Sequence, residues 1–546
     1  MDSGGGVDGR LAAEQRARVR IDAQLAAAGW LVQDRSTLNL FCGQGVAVRE
    51  VVMAPGHGRV DYLLYVDKRV CGVIEAKPEG TALSGVEWQS AMYATGLPEQ
   101  HRKRAVEVDG RLPFVFEATG SETHLTNGLD PTPRARRFAG FPQPTTLARW
   151  LRDWDARPDA ATWRGRVQQL PPVPGIADGM RPAQVVAIEG IERSLREGRH
   201  DRSLVQMATG AGKTYTAVAE CYRLLRHGGV RRILFLVDRT NLGEQTRGEF
   251  EGFVAPDDGR KFTELYPTAM LTSAGMLAST TVVISTIQRV HAALSGRTVT
   301  EDDDPDLDRF VPDRPVEVAY SPDLPPESFD LVIVDECHRS IYGVWRGVLE
   351  NFDAHLLGLT ATPVKQTFAF FRQNLVSEYT YAESVVDGVN VDFDVYRIAT
   401  DITAHGATVE AGSVVPVMDR RTRRQRYETL ESDLTYGGGA LDRAVTSPPQ
   451  VRLVLETFRD RLRSEIFPGR TEVPKTLIFC KDDNHAEHVV TTAREVFGRG
   501  NDFAVKITYA AKQPRELLKA FRTSPTMRIA VTVDMIATGT DIKPLE

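Results

Sequence analysis

Ala208-Thr209-Gly210-Ala211-Gly212-Lys213-Thr214 sets two glycines, a lysine and a threonine between an apolar run and a helical pattern. Glycine lets backbone N–H groups close on phosphate oxygens, and the helix N-terminus behind it adds a favourable dipole. Lys213 in that setting reaches the β- and γ-phosphates of a nucleotide, and Thr214 offers its hydroxyl to Mg2+. Farther along, Phe329-Asp330-Leu331-Val332-Ile333-Val334-Asp335-Glu336-Cys337-His338 reads as a buried strand that ends in two carboxylates. Asp335 there holds Mg2+ through water, and Glu336 polarises the attacking water. His338 is a candidate sensor of nucleotide state. Gly358-Leu359-Thr360-Ala361-Thr362-Pro363 follows with two hydroxyls. Upstream, Arg181-Pro182-Ala183-Gln184 brings an amide, that of Gln184, suited to an adenine edge.

A second group of residues lies near the N-terminus. Asp61 begins one strand of a hairpin, and Glu75-Ala76-Lys77 ends the other. Two carboxylates brought together bind Mg2+, which stabilises in-line attack on a phosphodiester, while a lysine orients the water and offsets charge. Glu75 and Lys77 sit inside Val70-Cys71-Gly72-Val73-Ile74-Glu75-Ala76-Lys77, an apolar strand where exposed charge is not the expected filler. Gln89 and Tyr93, four apart, share one face of the helix that follows. On the first helix Glu14 either adds a carboxylate or pairs with Arg18 four residues on.

These residues need a scaffold. The first helix is expected over 11–29, and strands over 45–52, 60–66 and 70–74, with Asp67-Lys68-Arg69 as the hairpin connection. Residues 86–96 have a helical pattern. Prolines at 131–133, 141–144 and 171–174 mark the end of this region. From about 176 the apolar runs Ser203–Met207, Ile233–Val237, Val282–Ser285 and Leu331–Val334 alternate with helical patterns, as a parallel sheet with helices on both faces requires. The acidic stretch 301–306 reads as a solvated loop, and 386–450 as irregular. Thr476–Cys480 and Ile529–Val533 begin a second βα region.

The chain has 546 residues, room for about three to four domains. Its 42% hydrophobic content excludes wholesale disorder. Cys42, Cys71, Cys221, Cys337 and Cys480 are far apart and include no CxxC pair, against a disulfide scaffold or a zinc framework. The net charge of −6 leaves nucleic-acid binding to a local groove. No run reaches the 18 or so apolar residues of a membrane span. Met1–Gly6 has neither a basic nor an apolar leader region, and is expected to be a flexible start on a cytosolic protein.

The ordered set from Gln184 through the phosphate loop, D-E-C-H, T-A-T-P and Val533-Asp534-Met535-Ile536-Ala537-Thr538-Gly539-Thr540-Asp541 resembles superfamily 2 helicases and translocases. Met207, where the general phosphate-loop pattern has glycine, fits the helicase variant. The resemblance implies two RecA-like domains with ATP bound between them and nucleic acid across both. It places Gln184 at adenine, and Thr209, Gly210, Ala211, Gly212, Lys213 and Thr214 at the phosphates. Asp335 and Glu336 fall at magnesium and water, Thr360 and Thr362 couple the lobes, and Gly539 and Asp541 contribute from the second lobe. Ala183 stands where many relatives carry an aromatic residue. The hairpin residues look like a PD-(D/E)xK nuclease core, in which Gln89 and Tyr93 match the Q-x-x-x-Y pair of one subgroup and Glu14 a frequent extra carboxylate.

Nuclease, phosphate loop and D-E-C-H in that order are similar to the R (restriction and translocation) subunit of type I restriction enzymes. Ala27-Ala28-Gly29-Trp30, Leu236-Val237-Asp238-Arg239-Thr240-Asn241-Leu242 and Asp335–Gly343 agree with it in detail. The resemblance implies an α/β chain with a nuclease domain at 1–165, a first RecA-like domain at 166–385, a linker or insertion at 386–450, and an incomplete second RecA-like domain at 451–546. It also implies ATP and Mg2+ as cofactors, and double-stranded DNA, a modification subunit and a specificity subunit as partners. The arginine motif and helical region that relatives carry after Asp541 are not found in the sequence, so a fragment or a poorly hydrolysing chain is expected. Two other readings stand beside it: a stand-alone helicase–nuclease, and an ATP-bound DNA clamp without turnover.

Overall fold

The structure is a computed structural model that describes residues 5–83, 96–173, 179–297, 312–338, 343–398, 448–533, 535–536, 542 and 545, and short strands within 407–436. It divides into two compact units, Met1–Val391 and Asp392–Glu546. Among the described residues no helix is long and apolar enough to cross a membrane.

The first unit holds two seven-stranded sheets. One runs in sequence order: β1 (Leu31–Asp34), β2 (Gly45–Val52), β3 (Arg59–Val66), β4 (Arg69–Ala76), β5 (Phe114–Ala118), β6 (Thr123–Asn127) and β7 (Ala135–Phe138). β1 pairs with β2 and β4 with β5 in parallel; the other pairs are antiparallel. The β3–β4 turn is two residues, Asp67 and Lys68, both left-handed at φ 48° and 67°. That turn twists with the strands, so Arg69 belongs to β4 rather than to the connection. Helix α1 (Gly5–Ala27) starts earlier than its apolar periodicity indicates and takes in Gly5 and Gly6 of the expected leader. Its Ile21 and Leu25 join Tyr62, Leu64 and Phe116 in the core on one face of the sheet, while Leu63, Tyr65, Val73 and Leu112 form the core on the other.

The second sheet has the order β10-β11-β9-β12-β13-β8-β14, every neighbour parallel. Its strands are β8 (Arg202–Met207), β9 (Ile233–Val237), β10 (Thr268–Met270), β11 (Val282–Thr286), β12 (Leu331–Val334), β13 (His355–Thr360) and β14 (Leu375–Tyr379). Central strands of such a sheet are covered on both faces, which is why β9 and β12 are unbroken apolar runs. The helices Pro182–Glu197, Lys213–Arg226 and Thr240–Gly252 pack on one face, and Ile287–Leu294 on the other. The chain passes from the core of the first sheet to that of the second between Ala161 and Trp163.

In the second unit β19 (Thr476–Phe479), β21 (Ile529–Thr532) and β20 (Ala504–Lys506) form a parallel sheet, with helices Pro448–Arg461, Asp483–Phe497 and Pro514–Thr523. The stretch expected to be irregular contains two antiparallel pairs, β15 (Ala407–Val409) with β18 (Leu434–Tyr436) and β16 (Val414–Met418) with β17 (Gln425–Thr429). Strands of three to five residues carry too few alternations to stand out as a pattern. The expected helix at 86–96 (but for Gly96) and the acidic stretch 301–306 lie outside the described residues.

Candidate functional sites

Because the strands of the second sheet are parallel, the residues that follow β8, β12 and β13 meet at one edge, the carboxyl ends where such folds bind ligands. β13 lies between β8 and β12, so the phosphate loop, Asp335 and Thr360 are brought together. Gly210 and Gly212 have φ of 79° and 91°, a turn that side chains resist. Lys213 and Thr214 open the helix Lys213–Arg226. Lys213 Nζ lies 3.6 Å from Glu336 Oε1, and both side chains are almost entirely buried. Burial and the adjacent Glu336 push the Asp335 carboxyl up to about 6. Glu336 itself is left-handed, at φ 47°, and donates its N–H to Asp335 Oδ1 at 2.9 Å.

His338 Nδ1 stands 3.0 Å from the buried Thr360 hydroxyl and 3.5 Å from Glu336 Oε2. The Thr362 N–H donates to the same Thr360 oxygen at 3.1 Å. Three expected coupling residues are thus linked through one hydroxyl to the D-E-C-H carboxylate. Gly358, one turn of pleat earlier, must be glycine: a Cβ there would stand 2.3 Å from the Phe371 ring.

Gln184 is buried, and its amide is engaged by its own chain. It accepts the Arg181 N–H at 2.8 Å and donates to Gly212 O at 3.3 Å. Two residues that the sequence did not single out also hold the loop. Arg181 Nη1 donates to Gly210 O at 2.9 Å, and Asn390 Nδ2 donates to Thr209 O at 2.9 Å. Arg181 opens the Arg-Pro-Ala-Gln stretch and was recoverable from it; Asn390 is remote in sequence and carried no signal. Gly539 and Asp541 lie outside the described residues. The hard oxygen donors Asp335 and Thr214 at the mouth of the loop are of the kind that suits Mg2+.

The hairpin site is on the first sheet. The register sets Tyr62 opposite Ile74, so Asp61 faces Glu75 across β3 and β4, and both are buried. Asp61 Oδ2 accepts the Ala76 N–H at 2.8 Å. Lys77 Nζ donates to Glu75 Oε1 at 2.7 Å, while Glu75 Oε2 is buried without a hydrogen-bond partner. Burial, opposed by Lys77 and reinforced by Asp61, pushes the Glu75 carboxyl up to about 7. A bare buried acceptor beside a second carboxylate fits a divalent cation that keeps several waters. Arg18, on the buried face of α1 with Ile21 and Leu25, turns to Asp61 and Glu50 rather than to Glu14. The signal in the sequence is a charged residue at the helical spacing of the apolar positions Ile21 and Leu25. Gln89 and Tyr93 lie outside the described residues.

Residues 178–365 match the family described as type III restriction enzyme, res subunit. Over 97% of its length the chain is 26% identical to the endonuclease subunit of the type I restriction enzyme EcoKI of Escherichia coli K12, of which it covers 48%. It is 27% identical to the EcoAI endonuclease subunit of Escherichia coli, over 94% of this chain and 58% of that one. The chain thus spans about half the length of the curated relatives it matches. Among solved structures, a fragment of a putative HsdR subunit of a type I restriction enzyme from Vibrio vulnificus YJ016 aligns over 96% of this chain and 84% of its own, with 21% identity and a TM-score of 0.39.

Proposed function

We propose that this chain, a relative of the type I restriction endonuclease subunits over nearly its whole length, is the restriction and translocation subunit of such a system. It would use ATP to move double-stranded DNA and an N-terminal nuclease to cut it, together with modification and specificity subunits in the cytoplasm. The observation that carries the reading is the presence, in one compact unit, of two separate residue sets. One pairs Lys213 with Glu336 at a phosphate loop, and the other pairs Asp61 with Glu75 and Lys77 on a hairpin. In this reading residues 1–165 are the nuclease, 166–385 the first RecA-like domain, 386–450 a linker or insertion, and 451–546 part of a second RecA-like domain.

At the motor site the backbone of 209–212 and Lys213 bind the triphosphate, and Lys213 leaves Glu336 for the β- and γ-oxygens. Glu336 then has its carboxylate free to take the proton of the attacking water. Thr214 and Asp335 would hold Mg2+, which neutralises charge developing on the phosphates. The His338–Thr360–Thr362 linkage reports that change to the strand end. Gln184, tied to Gly212, fixes the loop against the helix that precedes it and could present adenine contacts only from that tethered position. At the hairpin Asp61 and Glu75 would hold Mg2+, and Lys77 orients the water for attack on phosphorus. Gln89 and Tyr93 complete this site in the proposal, as Gly539 and Asp541 complete the motor.

The test is the dependence on companion subunits. Duplex-stimulated ATP turnover and cleavage are measured with the chain alone and with added modification and specificity subunits. Both activities rise with the subunits if the proposal holds. Full activity of the chain alone makes it a stand-alone helicase–nuclease instead.

A further inference from the structure

We propose that Arg18 is a positioning residue of the hairpin site that sets how tightly Asp61 and Glu75 bind a divalent cation, an inference that rests on the nuclease reading above. The guanidinium arrives from α1, outside the hairpin. Its Nη2 lies 2.5 Å from Asp61 Oδ1, and its Nη1 lies 3.0 Å from Glu50 Oε1. The second Asp61 oxygen already accepts the Ala76 N–H at 2.8 Å. Both oxygens of this carboxylate are therefore engaged, one of them by a full positive charge. Glu75 is in the opposite condition, with Oε1 on Lys77 and Oε2 buried and bare. One ligand is ready for a cation, and the other is held by an arginine that a cation must displace.

The local structure builds this position. Arg18 shares the inner face of α1 with Ile21 and Leu25, neither of which reaches solvent. One turn on, Asp22 accepts the Tyr62 hydroxyl at 2.8 Å and Arg49 Nη2 at 2.8 Å, which fixes α1 against the residue next to Asp61. Glu50 sits at the end of its reach, in a left-handed backbone conformation of φ 53°, and its other oxygen lies 3.6 Å from Arg59. The arginine thus has an anchor on each side, and its charge both competes for the Asp61 lone pair and repels an approaching cation. Swinging onto Glu50 alone would open Asp61 without unfolding α1.

The test is calorimetric titration of Mn2+ into the nucleotide-free full chain. The part of the signal lost in Asp61→Asn belongs to this site. Arg18→Met is expected to lower the Kd of that part about tenfold, since it removes the competitor and leaves both carboxylates. Arg18→Lys keeps the charge but is too short to span Asp61 and Glu50, and should fall between. It decides the matter by itself if Arg18→Met does not fold. Unchanged or weaker binding of that part in the Arg18 variants, with Asp61→Asn still removing it, overturns the role of Arg18 and leaves the nuclease reading standing. An Mn2+ isotherm that Asp61→Asn leaves wholly unchanged overturns both.

Discussion

Glu220, on the helix that the phosphate loop opens, is a fully buried carboxyl with neither oxygen hydrogen-bonded. Burial and the neighbouring Glu192 raise its pKa well above the usual carboxylate value, while Arg223 bonds to Glu192 instead. The folded state therefore keeps a proton that the unfolded chain gives up. For an acid raised in this way the stability contribution is whole below the unfolded pKa and is lost as pH rises toward the folded one. Glu220→Gln, neutral at every pH, should flatten that loss. Its melting temperature should match the wild type near pH 4.5 and exceed it by a few degrees at pH 8, as thermal denaturation at the two pH values will show. At the two proposed sites the same physics is turned to use. Glu75 and Asp335 are pushed up toward neutrality by burial beside another carboxylate, and Lys77 and Lys213 stand ready to offset that crowding.

Among elements of the second unit, one lysine ties a helix end to a strand. Lys475, buried just before β19, donates to the carbonyls of Phe521, Ser524 and Met527 at 2.6–2.7 Å and closes the end of helix Pro514–Thr523. Lys475→Met keeps the stem but strands three acceptors, and should cost about 2–4 kcal/mol of that unit's stability, read from urea unfolding. No motif announced this residue, because its partners are backbone atoms about fifty positions away. Other elements were plain in the sequence. β9 and β12 are apolar runs of four or more, β8 and β11 carry shorter ones, and the chemistry-bearing residues directly follow β8 and β12. β13 was not anticipated as a strand, although it delivers Thr360. His355 and Gly358 interrupt its apolar run, and both are explained only by the packed sheet. The His355 ring, held near pKa 3 by burial, meets the Ser203 hydroxyl at 2.9 Å, and Gly358 makes room for Phe371. β5, β6 and β7 were missed as well, being short strands whose half-buried outer residues blur the alternation. The hairpin site was legible as residue types because Asp61, Glu75 and Lys77 are close in sequence. The Arg18 contact was not, since it depends on how α1 lies on the sheet.

Within the first unit ion pairs join the two sheets. Arg136 of β7 reaches Asp353, just before β13, at 2.6 Å and Asp130 at 2.9 Å, and Arg164 joins Asp353 at 3.5 Å. Removing one partner of such a pair would strand the largely buried Asp353 carboxylate, so the pairing disfavours other placements of the two sheets. The strand so held is β13, which ends at the Thr360 hydroxyl shared by His338 and Thr362. The proposed nuclease and the proposed first RecA-like domain therefore belong to one unit, while their two residue sets stay at separate places. That separation is the central claim, and it is tested by paired assays of duplex-dependent ATP turnover and DNA cleavage on Lys213→Ala and Asp61→Ala, assembled with companion subunits. Lys213→Ala should lose ATP turnover by at least about a hundredfold, and with it translocation-dependent cutting, while melting like the wild type. Asp61→Ala should lose cleavage and keep ATP turnover within about twofold of the wild type. Cleavage that persists in Asp61→Ala, or ATP turnover that persists in Lys213→Ala, would contradict the account.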